Sequence, residues 1–160
     1  MSDCPVQVSI VKITHPKCAD VFPRERLFGR LDSARRQSVT WIAAPAGSGK
    51  TTLVASYLLH RQIPSIWYRV DEGDSDIATF FYYMGLAAQR AAPRIQKALP
   101  LFTPEYLQGV SAFTLRYFEK LCSGVDPPFV IVFDNYQHVP PRSEFHEVIS
   151  CGLGSLPEHV

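Results

Sequence analysis

The residues with the clearest chemistry are Gly47, Gly49, Lys50 and Thr51, set in the run Ala44-Pro45-Ala46-Gly47-Ser48-Gly49-Lys50-Thr51-Thr52. Glycines let the backbone take φ > 0 and let an anion come close to main-chain N–H groups, which is how a loop wraps phosphate. A lysine directly after them brings charge to the β- and γ-phosphates of a nucleotide. The Thr51 hydroxyl is a hard oxygen ligand for the magnesium ion that travels with those phosphates. Pro45, Ala46, Ser48 and Thr52 complete the candidate nucleotide-contacting loop, and Lys50 is also a candidate catalytic group. The run departs from G-x-x-x-x-G-K-[ST] at its first position, where Ala44 replaces glycine. Alanine is acceptable there if its φ stays negative. The plain alternative is a Gly/Ser turn with a solvated lysine.

Such a loop works only between a strand and a helix, because the helix N-terminus directs free N–H groups and the positive end of its dipole at the same anion. The flanking residues fit. Val39–Ala43 is an apolar run of strand length. Lys50–His60 reads as a helix with Leu53, Val54, Tyr57 and Leu58 at core spacing. Pro64 leads into a second strand, Ser65–Val70, and the polar run Asp71–Asp76 ends in residues able to cap a helix. That helix, Ile77–Arg90, carries Ile77, Phe80, Phe81, Met84 and Ala88 on one stripe, with Tyr82 and Tyr83 toward its rim. Residues 92–104 hold three prolines and read as broken structure. A helix over Ser111–Leu121 turns Phe113, Tyr117, Phe118 and Leu121 inward. Phe129–Phe133 is a continuous apolar run, the form of a central parallel strand covered on both faces. A short helix, Ser143–Cys151, follows. Upstream, residues 1–21 form an extended lead-in and Arg24–Arg36 a charged helical segment.

Strands alternating with helices predict an α/β fold with a mainly parallel sheet flanked by helices, whose ligands bind at the carboxyl ends of the strands. With the loop, this is the phosphate-loop NTPase class. We divide the chain into a lead-in and charged helical segment, 1–36, and an NTPase domain, 37–160.

The second apolar strand ends in Asp134. In phosphate-loop NTPases an acid at that place holds the magnesium ion on a strand beside the loop, so Thr51 and Asp134 are the candidate metal ligands. Asn135 follows, where many ATPases place a second acid that orients or deprotonates the attacking water. A neutral amide cannot accept that proton, and base catalysis contributes about 10²–10⁴-fold. Asn135 is therefore a candidate catalytic position that predicts slow hydrolysis and persistent nucleotide occupancy.

Composition sets bounds. The 160 residues suffice for one ordinary domain. A net charge of +1 gives no electrostatic case for nucleic-acid or anionic-membrane binding by the chain as a whole. Cys4, Cys18, Cys122 and Cys151 make no C-x-x-C pair and read as reduced thiols of a cytosolic protein. The five histidines show no ligand spacing and read as surface or helix-face residues. No basic segment followed by a long apolar one marks a signal peptide, and the apolar runs are too short to span a bilayer.

Four segments together resemble one family. Trp41 to Leu53 resembles the S/A-P-A-G-x-G-K-T-T-L loop of MalT-type regulators, members of the signal-transduction ATPases with numerous domains. Phe22-Pro23-Arg24-Glu25-Arg26-Leu27 resembles their R-E-R-L element, Trp67-Tyr68-Arg69-Val70-Asp71 their W-x-x-L-D, and Phe133-Asp134-Asn135-Tyr136-Gln137 their D-D-Y-H. The resemblance covers roughly Lys12 to Val160. It implies the N-terminal ATPase module of a large cytoplasmic bacterial transcription activator. ADP holds such a protein closed, while ATP with an inducer drives self-association. DNA is bound through a LuxR-type domain that these residues do not include, and helical and sensor domains follow the ATPase module in the same polypeptide. The resemblance also implies that Arg24 lies near the nucleotide, the alternative being a solvated helix-start arginine. Asp71 reads as a loop or helix-capping residue, with the γ-phosphate side as its alternative. In this class a fourth strand lies between strands one and three, and residues 156–160 stop where it should begin, so we expect an incomplete sheet of marginal stability.

Other classes share the loop. A small-molecule kinase would need an acceptor pocket and an arginine-bearing lid, and no lid is evident. A transporter ATPase would carry L-S-G-G-Q, which does not occur. A degenerate module that only scaffolds is the non-catalytic alternative.

Overall fold

The computed structural model describes residues 11–18, 21–92 and 99–156. Cys4, most of the lead-in, Pro93 and the chain end at 157–160 lie outside the described residues. In chain order the elements are α1 (Glu25–Ala34), α2 (Lys50–His60), β1 (Ser65–Arg69), α3 (Ile77–Ala91), α4 (Val110–Ser123), β2 (Val130–Asp134) and α5 (Phe145–Gly154). Single 3-10 turns occur at Val11–Ile13, Glu72–Ser75, Pro104–Tyr106 and Tyr136–His138. The result is an α/β arrangement around a parallel pair of strands.

β1 and β2 pair in parallel, with Ser65 opposite Val130 and Arg69 opposite Asp134. Alternating side chains point to opposite faces of a strand, and the packing follows that rule. Ile66 and Tyr68 turn to one face, where they join Phe80, Phe81 and Met84 of α3, Phe113, Tyr117 and Phe118 of α4, and Phe145 and Val148 of α5. Trp67, with Val130 and Val132, turns to the other, where Ala55, Tyr57 and Leu58 of α2 meet Phe28 of α1. A two-stranded ribbon alone is marginal in water. Each fully buried large apolar side chain contributes about 1.5–3 kcal/mol, so the two helical layers, more than the short ladder, hold the strands together.

Local chemistry sets several ends. Asp76 caps α3: its carboxylate accepts from the Ala78 amide at 3.2 Å and the Thr79 hydroxyl at 2.6 Å, the role expected for the end of the polar loop. Gly49 precedes α2 with φ 80°, in the left-handed region that glycine adopts without strain. α1 is clasped to α2 by Asp32, which accepts from the Arg61 guanidinium at 2.9 Å and from the Tyr57 hydroxyl at 2.8 Å. Those two donors, Arg61 first, hold the Asp32 carboxyl below its usual range.

Two expectations are corrected. Val39–Ala43 forms no strand. Val39 and Trp41 are exposed, and Trp41 rests edge-on against Tyr136 with ring centroids 5.4 Å apart. Strand preference reports fit to neighbouring strands more than an intrinsic backbone choice, and no described strand pairs with this segment. For the same reason β2 is not covered like a central strand: every one of its residues is half-buried, and among the described residues only its β1 edge is paired.

The polar loop after β1 is anchored by a buried acid. Asp74 is wholly buried and accepts from the Tyr68 hydroxyl at 2.6 Å, the Asp71 amide at 2.8 Å and the Lys12 ammonium at 2.8 Å. Lys12 bridges to Asp71 as well, at 2.6 Å, and lies 5.2 Å from the centre of the Tyr68 ring. Burial, with the Asp74 bond second, pushes the Tyr68 hydroxyl far above its ordinary value. The short turn at Val11–Ile13 is thereby fastened to the carboxyl end of β1.

Candidate functional site

The loop between residue 44 and α2 turns through Gly47 at φ 75° and Gly49 at φ 80°. Ala44 is not among the residues of positive φ, so its methyl is accommodated and the departure from glycine has a structural answer. A side chain built at Gly47 would meet nothing within 4 Å, so glycine is required there by its positive φ and not by crowding. Lys50 folds back over the loop and donates to the carbonyls of Ala44 at 2.7 Å and Pro45 at 3.0 Å. The Ser48 amide bonds to the Pro45 carbonyl at 3.3 Å. The amides of Gly47, Gly49, Lys50, Thr51 and Thr52 find no main-chain acceptor among the described residues. A short loop thus presents several N–H donors without main-chain acceptors and an ammonium at one turn, the donor set that a phosphate requires.

Thr51, in the first turn of α2, donates to Oδ1 of Asp134 at 2.8 Å. Asp134 ends β2, and strand alternation places it on the α2 face with Val130 and Val132. A hydroxyl and a carboxylate side by side at a strand end, next to an anion cradle, are hard oxygen ligands of the kind magnesium takes. The residues present therefore fit both a phosphate group and its metal.

Arg24 immediately precedes α1 and reaches the loop. Its Nη1 lies 3.4 Å from the Ser48 carbonyl, and its Nη2 lies 3.1 Å from where a Gly49 side chain would begin. A side chain at Gly49 would displace it, so glycine there serves both the turn and the arginine. Asn135 adopts φ 63°, a left-handed conformation that asparagine tolerates better than most residues. Its side-chain Oδ1 accepts from Nε2 of the Gln137 side chain at 3.5 Å. Asp71 takes the capping role: it accepts from the Gly73 amide at 2.9 Å and pairs with Lys12.

The structure thus gathers Lys50, Thr51, Asp134 and Arg24 at one end of the strand pair, with Asn135 next to Asp134. Sequence reasoning missed one neighbour. Arg69, opposite Asp134, could have been found by noticing that both strands end in a charged residue.

An α/β chain in which a glycine-bearing loop, a lysine and a threonine–aspartate pair meet at parallel strand ends defines a class, and comparison narrows it. No protein-family model matches the chain. The HTH-type transcriptional regulator MalT of Yersinia pestis (strain Pestoides F) is 31% identical over 151 residues, covering 93% of this chain and 16% of that protein. The regulator of the same name from Cronobacter sakazakii (strain ATCC BAA-894) is 28% identical over 138 residues, covering 86% of this chain and 15% of its own length. The chain is MalT-like over most of its length and spans about 16% of the length of the curated relatives it matches. Among the described residues no helix is long and apolar enough to cross a membrane.

Proposed function

We propose that this chain is a phosphate-loop nucleotide-binding module that takes ATP or ADP with magnesium and acts as the switch of a MalT-like regulator. The observation that carries the reading is the Thr51–Asp134 hydrogen bond at 2.8 Å beside the Lys50 loop. Lys50 has two carbonyl partners to exchange for phosphate oxygens, and the loop amides have none to give up. Charge-assisted bonds to phosphate are roughly twice as strong as neutral ones, which favours that exchange. Thr51 and Asp134 would hold the magnesium ion, which when bound neutralises charge between the last two phosphates. Arg24, already against Ser48 and Gly49, would neutralise further charge at the rim of the loop.

Hydrolysis is slow in this reading. Asn135 is a neutral amide and takes no proton from water, so bound ATP persists, as a switch needs. In the whole regulator, occupancy by ATP rather than ADP would be read by the following domains of the same polypeptide and by self-association, with DNA contacted elsewhere.

Equilibrium titration with fluorescent ATP and ADP, with and without magnesium, tests the proposal. Lys50→Ala is expected to weaken both nucleotides at least tenfold, the loss of a charged bond worth about 1.5–3 kcal/mol. Absence of measurable binding by folded protein would sink it.

A further inference from the structure

We infer that Arg69 is the residue by which this site tells a nucleoside triphosphate from a diphosphate, an inference that rests on the nucleotide reading above. Arg69 is the last residue of β1 and stands opposite Asp134 in the parallel register. Neighbouring strands lie about 4.8 Å apart, so its backbone is adjacent to the residue that Thr51 contacts. Strand alternation fixes the face. Ile66 and Tyr68 pack toward α3, α4 and α5, while Trp67 packs toward α2. Arg69 shares the parity of Trp67 and therefore the face of α2 and its loop. Trp67 is sealed beneath α2, whereas Arg69 is exposed at the strand end.

Three acids at this end of the strand pair have other partners. Asp134 accepts the Thr51 hydroxyl, and Asp71 is paired to Lys12 at 2.6 Å. Asp74 is buried among Lys12, Tyr68 and the Asp71 amide. Arg69 forms no ion pair or side-chain hydrogen bond among the described residues. An always-charged planar fork beside the candidate metal-holding acid, with no ion-pair partner among the described residues, matches phosphate oxygens geometrically. Lys50 and the α2 amides lie at the loop. Arg69 stands on the Asp134 side of the strand pair, beside Thr51 and Asp134, the residues that would hold the magnesium ion. The phosphate it can reach is the terminal one, which ADP lacks.

The test is a paired titration of the chain with fluorescent ATP and ADP in magnesium, comparing wild type, Arg69→Gln and Arg69→Lys. The exposed position leaves the core intact, and matching thermal melts check this. Arg69→Gln should raise the ATP dissociation constant about tenfold or more and leave that of ADP within about twofold, with Arg69→Lys in between. Equal weakening of both nucleotides, or no change in either, while the wild type binds normally, overturns the role of Arg69 alone. A folded wild type that binds neither nucleotide overturns this inference together with the nucleotide reading.

Discussion

The Thr51 hydroxyl and the Asp134 carboxylate are 83 residues apart in sequence and 2.8 Å apart in space. The contact joins the first turn of α2 to the last residue of β2, so the loop and the acid are held in register. Preorganisation of this kind removes ordering cost from binding. Thr51→Val and Asp134→Asn should each abolish the difference in ATP affinity between magnesium and chelator, and the double variant should do no more than either. Titration under both conditions checks it, and additive effects would show that the two residues act separately.

In the nucleotide reading proposed above, Asn135 bears on the chemistry rather than the fold. Aspartate also tolerates the left-handed backbone found there at φ 63°. Asn135→Asp should therefore melt like the wild type yet hydrolyse ATP faster, by about 10²-fold if a base is the missing element. Single-turnover assays with radiolabelled ATP measure this directly. An unchanged rate would mean that the attacking water is limited by something else.

Lys12 and Asp74 form a charge pair in which the acid is wholly buried and the lysine side chain is 11% exposed. Removing one partner leaves the other uncompensated, at a cost of about 3–5 kcal/mol. Lys12→Met and Asp74→Ala should each destabilise on that scale. The double variant should be milder than the sum, because the residues touch. Urea denaturation of the four proteins completes the cycle.

Two helical glycines should respond in opposite directions. A side chain at Gly152 would sit 2.6 Å from Cε2 of Phe118, a ring buried between α4 and α5. Gly152→Ala should cost about 1–3 kcal/mol through overpacking. At Gly29, within α1, an added side chain meets nothing within 4 Å. Gly29→Ala should stabilise by about 0.5–1 kcal/mol, because alanine loses less backbone entropy in a helix. Thermal melts of the two variants give shifts of opposite sign.

Much of this was legible in the residue order. The helix over Lys50–His60 falls where the periodicity of Leu53, Val54, Tyr57 and Leu58 puts it, and α3 and α4 agree within a few residues at their ends. Asp134 closes its strand as the apolar run foretold. These features are local: helical spacing, a capping acid and glycines in a turn each carry their own signal. The strand at Val39–Ala43 was misread because its apolar residues satisfy a strand pattern while strand formation depends on a pairing neighbour. The burial of Asp74 was equally hidden, since its partners Lys12 and Tyr68 come from different parts of the chain.

The order of amino acids therefore determined which groups could grip phosphate: two glycines free to turn, a lysine, a threonine, and an acid at the end of an apolar run. The motifs and the resemblance already put Thr51, Asp134 and Arg24 about one site; tertiary structure decided that Thr51 would hydrogen-bond Asp134 directly, that Arg24 would reach the Ser48 carbonyl and that Arg69 would face Asp134 across the strands. The physical reason is one of range. Backbone preference and side-chain periodicity act over a few neighbouring residues, whereas strand register and the sharing of a buried charge arise only when distant segments exclude water together.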